Sequence, residues 1–135
     1  DLEGSGREVT TVSGIADSAV VSGASSSEIR DLGVLAASTA AVDWSGVTGA
    51  RMRNCHVVNS RANYVFGVQI AGAAEVTLED TRIEASSTGA DFNGILIFDS
   101  PTVTVSRVDI SGTAPGSSCC ARSRAPACGG RTGSR

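Results

Sequence analysis

The chain of 135 residues suits one domain, and its 41% hydrophobic and 19% charged content is typical of a globular protein. Only 4% of the residues are aromatic, so the core must be built from Val, Ile, Leu and Ala, and the β-branched members of this set favour strands. The net charge of -3, without a basic face in the body of the chain, predicts no nucleic-acid partner. No apolar run approaches the ~18 residues that a membrane span needs.

An eight-residue motif recurs along the chain and places its elements in order. It reads apolar or small, any, apolar, any, Asp or Asn, any, any, apolar. Four copies lie at residues 27–34, 50–57, 76–83 and 103–110, spaced by 23, 26 and 27 residues, and the last copy has Arg107 at the Asp or Asn position. Recurrence at this spacing is the signature of a stacked repeat fold, in which each unit buries its apolar face against its neighbours.

A second apolar pattern recurs in phase with the first. Its copies lie at residues 19–23, 42–46, 68–72 and 95–99, which are again 23, 26 and 27 residues apart. Both patterns alternate with a period of two and are separated by Gly, Ser, Asn and Asp, so each repeat carries at least two short strands. We therefore predict an all-β fold, a right-handed parallel β-helix of about four to five coils with 23–27 residues per coil.

Equivalent positions of successive coils stack into columns in such a fold. We predict inward columns at two apolar positions of the motif, with the members Ile29, Met52, Leu78 and Val105, then Val34, Val57, Ile83 and Ile110. Burial of each large aliphatic side chain contributes roughly 1.5 to 3 kcal/mol before conformational entropy is subtracted. Asp31, Asn54 and Asp80 mark a turn, because short polar side chains can hydrogen-bond the turn backbone.

The domain boundaries follow from where the repeat starts and fades. Residues 1–18 are predicted to be an N-terminal partial coil and residues 19–116 the parallel β-helix, and the start at Asp1 without methionine indicates a piece of a longer chain. Residues 117–135 contain four arginines, no acidic residue and no alternation, so we expect a disordered, basic, cysteine-containing tail. The coil ends lack an evident cap, and such edges invite self-association.

Cysteine usage selects no disulfide. The chain contains Cys55 in the repeat and Cys119, Cys120 and Cys128 in the tail, and four cysteines permit three full pairings. Because the adjacent pair in the tail is too close for a relaxed bridge, we expect no defined disulfide.

Two segments of the repeat resemble a known protein family. Val-x-Leu-x-Asp-x-x-Ile at residues 76–83 and Gly-Ile-Leu-Ile at residues 94–97 resemble the pectate-lyase-like right-handed β-helix repeat proteins. Asn54 matches the position of that superfamily's asparagine ladder, and Asp31 and Asp80 are similar substitutes. The resemblance implies the fold but no single activity, since the superfamily includes polysaccharide lyases, hydrolases, epimerases, phage tailspikes and bacterial surface proteins.

The chemistry of those enzymes requires residues that the chain largely lacks. A Ca²⁺-assisted lyase needs clustered carboxylates with a basic residue for proton abstraction, and the related hydrolases carry a Gly-His-Gly segment and an Arg-x-Lys, whereas this chain has no lysine and one histidine. An inverting hydrolysis could use two of the carboxylates Glu79, Asp80, Glu84 and Asp91, and of these Glu79 and Asp91 are the candidate catalytic residues, whereas Asp80 is expected to be a turn residue. The alternative for Glu79 is a surface ion pair with Arg53 in the next coil, which is worth little energy.

No metal or cofactor is predicted. His56 has no second histidine or cysteine at ligand spacing, and the adjacent side chains of Cys55 and His56 point apart on an extended chain, which excludes a catalytic pair. The chain is therefore expected to bind no metal and no cofactor.

The loop before the second strand is the predicted ligand-binding site. Tyr64 and Phe92 offer flat faces to a sugar, and Asn63, Asp91 and Asn93 offer hydrogen bonds to its hydroxyl groups. The alternative is that these five residues serve packing and turn formation.

We predict a non-catalytic β-helix module of a larger secreted or surface protein, which contacts carbohydrate and is extracellular or on the cell surface. The lysine-free, Ala- and Gly-rich composition indicates a bacterial source. The alternative is a fragment of a polysaccharide-active enzyme, a lyase or hydrolase, whose catalytic residues lie partly outside this chain. An ice-binding surface would need a regular threonine column, but one outward column reads Glu28, Arg51, Thr77 and Thr104.

Overall fold

The structure of the chain, a computed structural model, describes residues 1–15, 17–62, 64–87, 92–113 and 118–123. Within these ranges the secondary structure consists of strands, and no helix is present. In chain order the strands are β1 (Leu2–Glu3), β2 (Thr11–Ile15), β3 (Ala19–Ser22), β4 (Glu28–Arg30), β5 (Gly33–Ala37), β6 (Ala40–Ser45), β7 (Arg51–Arg53), β8 (His56–Arg61), β9 (Val65–Ala71), β10 (Val76–Glu79), β11 (Arg82–Ser87), β12 (Phe92–Phe98), β13 (Val103–Ser106), β14 (Asp109–Thr113) and β15 (Ser118–Ser123).

The strands form three parallel sheets of five strands each, stacked as a β-solenoid of about four turns. Sheet A contains β1, β4, β7, β10 and β13, sheet B contains β2, β5, β8, β11 and β14, and sheet C contains β3, β6, β9, β12 and β15. Each coil thus contributes one strand to every sheet, and each strand pairs with its equivalents in the coils before and after. The predicted parallel β-helix is confirmed, with three strands per coil where the sequence predicts at least two.

The predicted register of sheets A and B is confirmed. In sheet A, Met52 pairs with Ile29 on one side and with Leu78 on the other. In sheet B, Val57 pairs with Val34 and with Ile83. All six of these side chains are 3% exposed or less and belong to one hydrophobic cluster between the sheets. The motif spacing therefore identifies the columns that form the core.

The turn between sheets A and B uses a left-handed backbone conformation in four successive coils. The φ angles are 56° at Asp31, 49° at Asn54, 50° at Asp80 and 50° at Arg107. Asn and Asp tolerate this conformation better than other residues with a Cβ. The Asn54 amide also donates a hydrogen bond to Oδ1 of Asp31 at 2.6 Å, so the polar column holds successive turns together.

Sheet C differs from the predicted register in its first coil. The repeat pattern aligned Ala19 with Val42, but the structure pairs Val21 with Val42, a separation of 21 residues. The shift places Gly23 beneath Trp44, where a Cβ on the glycine would overlap the indole atoms Cδ1 and Nε1. Because the buried indole fills the space of two stacked side chains, its column needs a glycine in the adjacent coil.

The later coils of sheet C follow the predicted spacing. Val42 pairs with Val68, and Val68 pairs with Ile95. Strand β15 then pairs in parallel with β12, with Cys120 opposite Ile95. Residues 118–123 of the predicted tail thus form a strand, because the open edge of β12 can be extended by backbone hydrogen bonds, and the expectation of a disordered tail stays a prediction for the rest. Residues 124–135 lie outside the described part of the chain.

The first coil includes strands within residues 1–18, the segment predicted as an N-terminal partial coil. Strands β1 and β2 lie within residues 1–18 and pair with β4 and β5. Together with β3 they supply one strand to each sheet, as in the later coils. In the described part of the chain, no helical segment has the length and apolarity of a membrane crossing.

Candidate functional site

The outer face of sheet B is the candidate site. Alternation along each strand directs every second side chain away from the core, and pairing between coils arranges these outward residues in three columns. They are Thr11, Gly33, His56, Arg82 and Asp109, then Ser13, Leu35, Val58, Glu84 and Ser111, and then Ile15, Ala37, Ser60 and Ser86.

Among the described residues, three pockets lie along this face and the turn that leads into it from sheet A. The first has a volume of about 510 Å³ and is lined by Arg7, Asn54, Asp80, Thr81, Arg82, Arg107 and Asp109. The second has a volume of about 370 Å³ and is lined by Val58, Asn59, Glu84, Ala85, Ser86, Ser111 and Gly112. The third has a volume of about 400 Å³ and is lined by Ser13, Gly14, Ile15, Leu35, Ala36, Ala37 and Ser60. The residues that line the face are therefore charged beside the turn from sheet A. They are mostly apolar on the opposite side, toward the first coils.

A chain of ion pairs organises the charged part of the face. Nε2 of His56 lies 3.1 Å from Oε1 of Glu84, and Nε of Arg82 lies 2.8 Å from the same oxygen. On the other side of the imidazole, Nδ1 lies 3.5 Å from Oε1 of Glu8. These contacts connect the loop before β2 with strands β8 and β11, and they orient the planar groups along the face.

The turn beside the charged pocket is held by a bidentate ion pair. Arg107 donates from Nε and Nη2 to the two carboxylate oxygens of Asp80 at 2.5 and 2.8 Å. This interaction lowers the pKa of Asp80 below its usual range. Asp80 is therefore held as a carboxylate and is a poor general acid.

The apolar part of the face is exposed. Ile15 is 90% exposed and Leu35 is 50% exposed, and Val58 continues their side of the sheet in the next coil. Large aliphatic side chains in this position do not stabilise the core. They offer a surface on which the apolar face of a ligand can pack.

The predicted sugar-binding loop lies between sheets B and C. Tyr64 precedes β9 and is 59% exposed, which leaves its ring accessible. Phe92 pairs with Val65, and Asn93 pairs with Phe66, so the two segments that flank the loop lie in adjacent coils. Asn63 and Asp91 lie outside the described residues. The grouping of these five residues into one site therefore stays a prediction.

Glu79 lies on the outer face of sheet A, next to the turn whose residues Asp80 and Arg107 line the charged pocket. It pairs in register with Arg53, as predicted, but the predicted ion pair between them is wrong. Nε of Arg53 instead donates to Glu28 at 2.8 Å, while Glu79 lies 3.7 Å from Nη2 of Arg107. The register places the residues side by side, and the rotamers of these long side chains decide which partner each one meets.

Sequence reasoning missed the triad of His56, Arg82 and Glu84 as a unit. Their outward positions follow from the motif offsets, since His56 and Arg82 both precede an inward column residue by one position. The contact between Glu8 and His56 could not be predicted from the sequence, because Glu8 lies in a loop outside the repeat motif. Its proximity to His56 is visible only in the folded chain.

Asn59 is a second feature that the pattern did not predict. It occupies an inward position of sheet B and is fully buried. Its amide donates to the backbone oxygens of Ser38 and Phe66 at 3.0 and 2.8 Å and accepts from the Ser38 backbone N–H at 3.2 Å. Asn59 therefore satisfies backbone groups where the chain turns from sheet B to sheet C.

The geometry offers no metal centre among the described residues: no three side chains of His, Cys, Asp or Glu type converge there. The two carboxylates near His56 face opposite nitrogens of its ring, so they do not share a coordination point. Cys55 is buried, and desolvation raises its pKa to about 11. A thiol of that kind is inert as a nucleophile at neutral pH.

Comparison with known proteins gives no relatives. No family model matches the chain, and neither a curated protein nor a solved structure matches it.

Proposed function

We propose that the chain is a non-catalytic β-helix module of a larger secreted or cell-surface protein, and that the outer face of sheet B contacts carbohydrate. The observation that carries the proposal is the succession of three pockets along this one face, charged on one side and apolar on the other. A sugar chain has both hydroxyl groups and apolar ring faces, so it matches such a surface. Equivalent positions repeat about every 4.8 Å along the stack, which suits an extended ligand.

The state of the carboxylates supports a role without catalysis. A glycosidase needs a carboxylic acid with a raised pKa to protonate the leaving group, but the pKa of Asp80 is lowered by Arg107. Glu84 forms ion pairs with Arg82 at 2.8 Å and with His56 at 3.1 Å. Asp80 and Glu84 are each paired with an arginine side chain, an arrangement that suits hydrogen-bonding a ligand.

The alternative is a fragment of a polysaccharide lyase or hydrolase of the pectate-lyase-like superfamily, with catalytic residues partly outside this chain. The segment 76–80, which comprises β10 and the turn residue Asp80, resembles that superfamily, as does the column of turn residues that contains Asn54. This resemblance supports the assignment to an enzyme fragment. The same experiment separates the two proposals, because binding and chain shortening are different readouts.

The test is incubation of the purified chain with a panel of acidic and neutral polysaccharides, scored for binding and for depolymerisation. Arg82→Ala removes an outward guanidinium from sheet B, and Arg51→Ala is the matched control because Arg51 is outward on sheet A and exposed. Charged hydrogen bonds contribute enough that we expect Arg82→Ala to weaken binding at least about tenfold, or ~1.4 kcal/mol. Arg51→Ala should bind as the wild type does.

Three results would change the proposal. Equal loss in the two arginine variants would place the contact elsewhere than on sheet B. Binding of no polysaccharide would contradict a carbohydrate role. Depolymerisation that is lost in Glu79→Gln or Asp91→Asn would favour the enzyme fragment.

A further inference from the structure

Residues 4–10, here called the strap, fold back across the edge of sheet B. Both of its sides are anchored by backbone hydrogen bonds: Gly6 N–H donates to the Asp31 carbonyl at 2.8 Å, and Gly33 N–H donates to the Thr10 carbonyl at 2.7 Å. Between these anchors the N–H groups of Val9 and Thr10 both donate to the carbonyl of Gly6 at 3.0 Å. The strap therefore has fixed ends and a tight turn whose tip is formed by residues 7–9.

A glycine in the second coil lets the strap cross the sheet. Gly33 occupies an outward position of the column that continues to His56. A Cβ at this glycine would lie 3.0 Å from the Arg7 carbonyl oxygen and 3.3 Å from Oγ1 of Thr11, which is tighter than ordinary contact. The missing side chain allows the strap to lie flat over the second coil, so its tip reaches the third.

The tip meets the imidazole of His56, whose side chain is only 19% exposed. Glu8 faces Nδ1 at 3.5 Å, and Glu84 faces Nε2 at 3.1 Å. The other charged groups around the ring are Arg82, which binds Glu84, and Arg7, which lies 3.8 Å from Glu8. In the adjacent turn, the carboxylate of Asp31 accepts a hydrogen bond from the Asn54 amide. The backbone carbonyl of Asp31 accepts from Gly6 of the strap.

Protonation changes how many partners the imidazole can hold. A neutral imidazole carries one N–H and donates to one carboxylate, whereas the imidazolium carries two N–H groups and donates to both. The second donor and the positive charge both favour the contact that closes the strap. Opening the tip separates His56 from Glu8 and leaves its contact with Glu84.

We infer that His56 is a proton-controlled latch, which holds the tip of the strap against the third coil and thereby sets the width of the charged pocket. Arg7 lines this pocket from the strap side, opposite Arg82 and Arg107. Closure is favoured as the pH falls through the range in which histidine gains a proton. The latch depends only on groups of this chain, so it stands whether or not the face binds carbohydrate.

The test is backbone ¹⁵N relaxation of the strap tip in the full chain at about pH 5 and about pH 8, the range across which an imidazole changes charge. We expect the order parameters of residues 7–9 to be near about 0.85 at the lower pH and to fall below about 0.6 at the higher pH. His56 is the only histidine in the chain, so its ring resonances can be followed in the same titration. Equal order parameters at both pH values would overturn the inference.

Two variants locate the effect. His56→Gln carries an uncharged side chain at both pH values, so the tip should lose its pH dependence. Glu8→Gln removes only the charge at an exposed position of the strap and leaves the core unchanged. It should also abolish the difference in the order parameters of the tip between the two pH values, here called the step. The matched control is Glu3→Gln, which removes a carboxylate bound to Arg30 on sheet A and should keep it. A step that persists in both His56→Gln and Glu8→Gln would contradict the latch.

Discussion

Arg107 binds the carboxylate of Asp80 through two parallel hydrogen bonds, at 2.5 and 2.8 Å, across the gap between two successive coils. Both residues have positive φ angles at the same turn of the solenoid. Earlier in this column Asn54 binds Asp31. The turn column is therefore held by side-chain contacts in both pairs of coils, even though an arginine replaces the short polar residue in the last pair.

The first prediction concerns this ion pair. The pKa of Asp80 is lowered because the carboxylate is hydrogen-bonded to Arg107. A lowered folded-state pKa stabilises the chain at pH values above the ordinary Asp range, and this contribution is lost as the pH falls through the lowered value. In Arg107→Gln we expect the pKa of Asp80 to rise toward about 3.9. The pKa is measured by carboxyl ¹³C titration.

The control for this prediction is Arg51→Gln, an arginine on sheet A that pairs with no carboxylate in the described part of the chain. It should leave the titration of Asp80 unchanged. An unchanged titration in Arg107→Gln as well would show that the ion pair does not form in solution.

The second prediction concerns Trp44 and Gly23. The indole is fully buried, and a Cβ on Gly23 would overlap it. Overpacking of a core of this density costs about 1 to 3 kcal/mol, so we expect Gly23→Ala to lower the free energy of unfolding by that amount. Chemical denaturation measures the change. Gly14→Ala is the control, because its Cβ would meet only the Val20 side chain, 3.3 Å away, and should cost less.

A double variant tests whether the indole causes the loss. Trp44→Leu in the Gly23→Ala background leaves room for the new methyl group. The two substitutions together should then cost less than the sum of their separate effects. Additive losses would place the effect of Gly23→Ala elsewhere.

The third prediction concerns the buried thiol. Cys55 has its pKa raised to about 11 by burial, whereas an exposed thiol ionises near about 8.5. In a variant with Ser at positions 119, 120 and 128, a thiol reagent at about pH 8 should react with the native chain far more slowly than with the unfolded chain. Rapid labelling of the native chain would contradict the burial of Cys55.

The same shift has a consequence for stability. Between the ordinary thiol pKa and about 11 the unfolded thiol is ionised, while the folded thiol stays protonated. The free energy of unfolding should therefore fall as the pH rises through this window. Cys55→Ala removes the ionisable group and should remove this part of the pH dependence.

The fourth prediction separates the predicted sugar-binding loop from the sheet B face. Tyr64 is 59% exposed in that loop, and Phe98, which is 56% exposed, lies at the end of β12 in sheet C. If the loop holds a sugar ring, Tyr64→Ala weakens polysaccharide binding several-fold while Phe98→Ala does not. Binding is measured by affinity electrophoresis. Equal effects of the two substitutions would remove the loop from the site.

Most of the coil register could be predicted from the spacing of the apolar residues. The column of Val34, Val57 and Ile83 follows directly from the motif, because inward positions of a stacked fold must be apolar in every coil. The first coil of sheet C could not be placed in this way. There the volume of Trp44 decides the pairing, and an alternation of apolar and polar residues carries no information about volume.

The candidate site was only partly predictable. The ligand-binding loop around Tyr64 stays a prediction, and the charged part of the sheet B face depends on side chains from separate coils. Glu8 reaches His56 because Gly33 leaves a gap between them. Such a contact requires the conformation of the strap, which has no repeat of its own. Likewise, Arg53 binds Glu28 rather than Glu79. The register brings both carboxylates near the guanidinium, and the side-chain rotamers determine which one it contacts.

By itself, the sequence determined that the chain stacks short strands into a parallel β-helix, which residues face the core, and where the coils turn. These properties follow from the alternation of apolar and polar residues and from the length of the repeat, and both can be read directly from the sequence. The tertiary structure alone decided the pairing of Val21 with Val42, the crossing of the strap over Gly33 and the partners of each ion pair. The physical reason is that these depend on the volume and reach of side chains from different coils, which meet only after the coils have stacked.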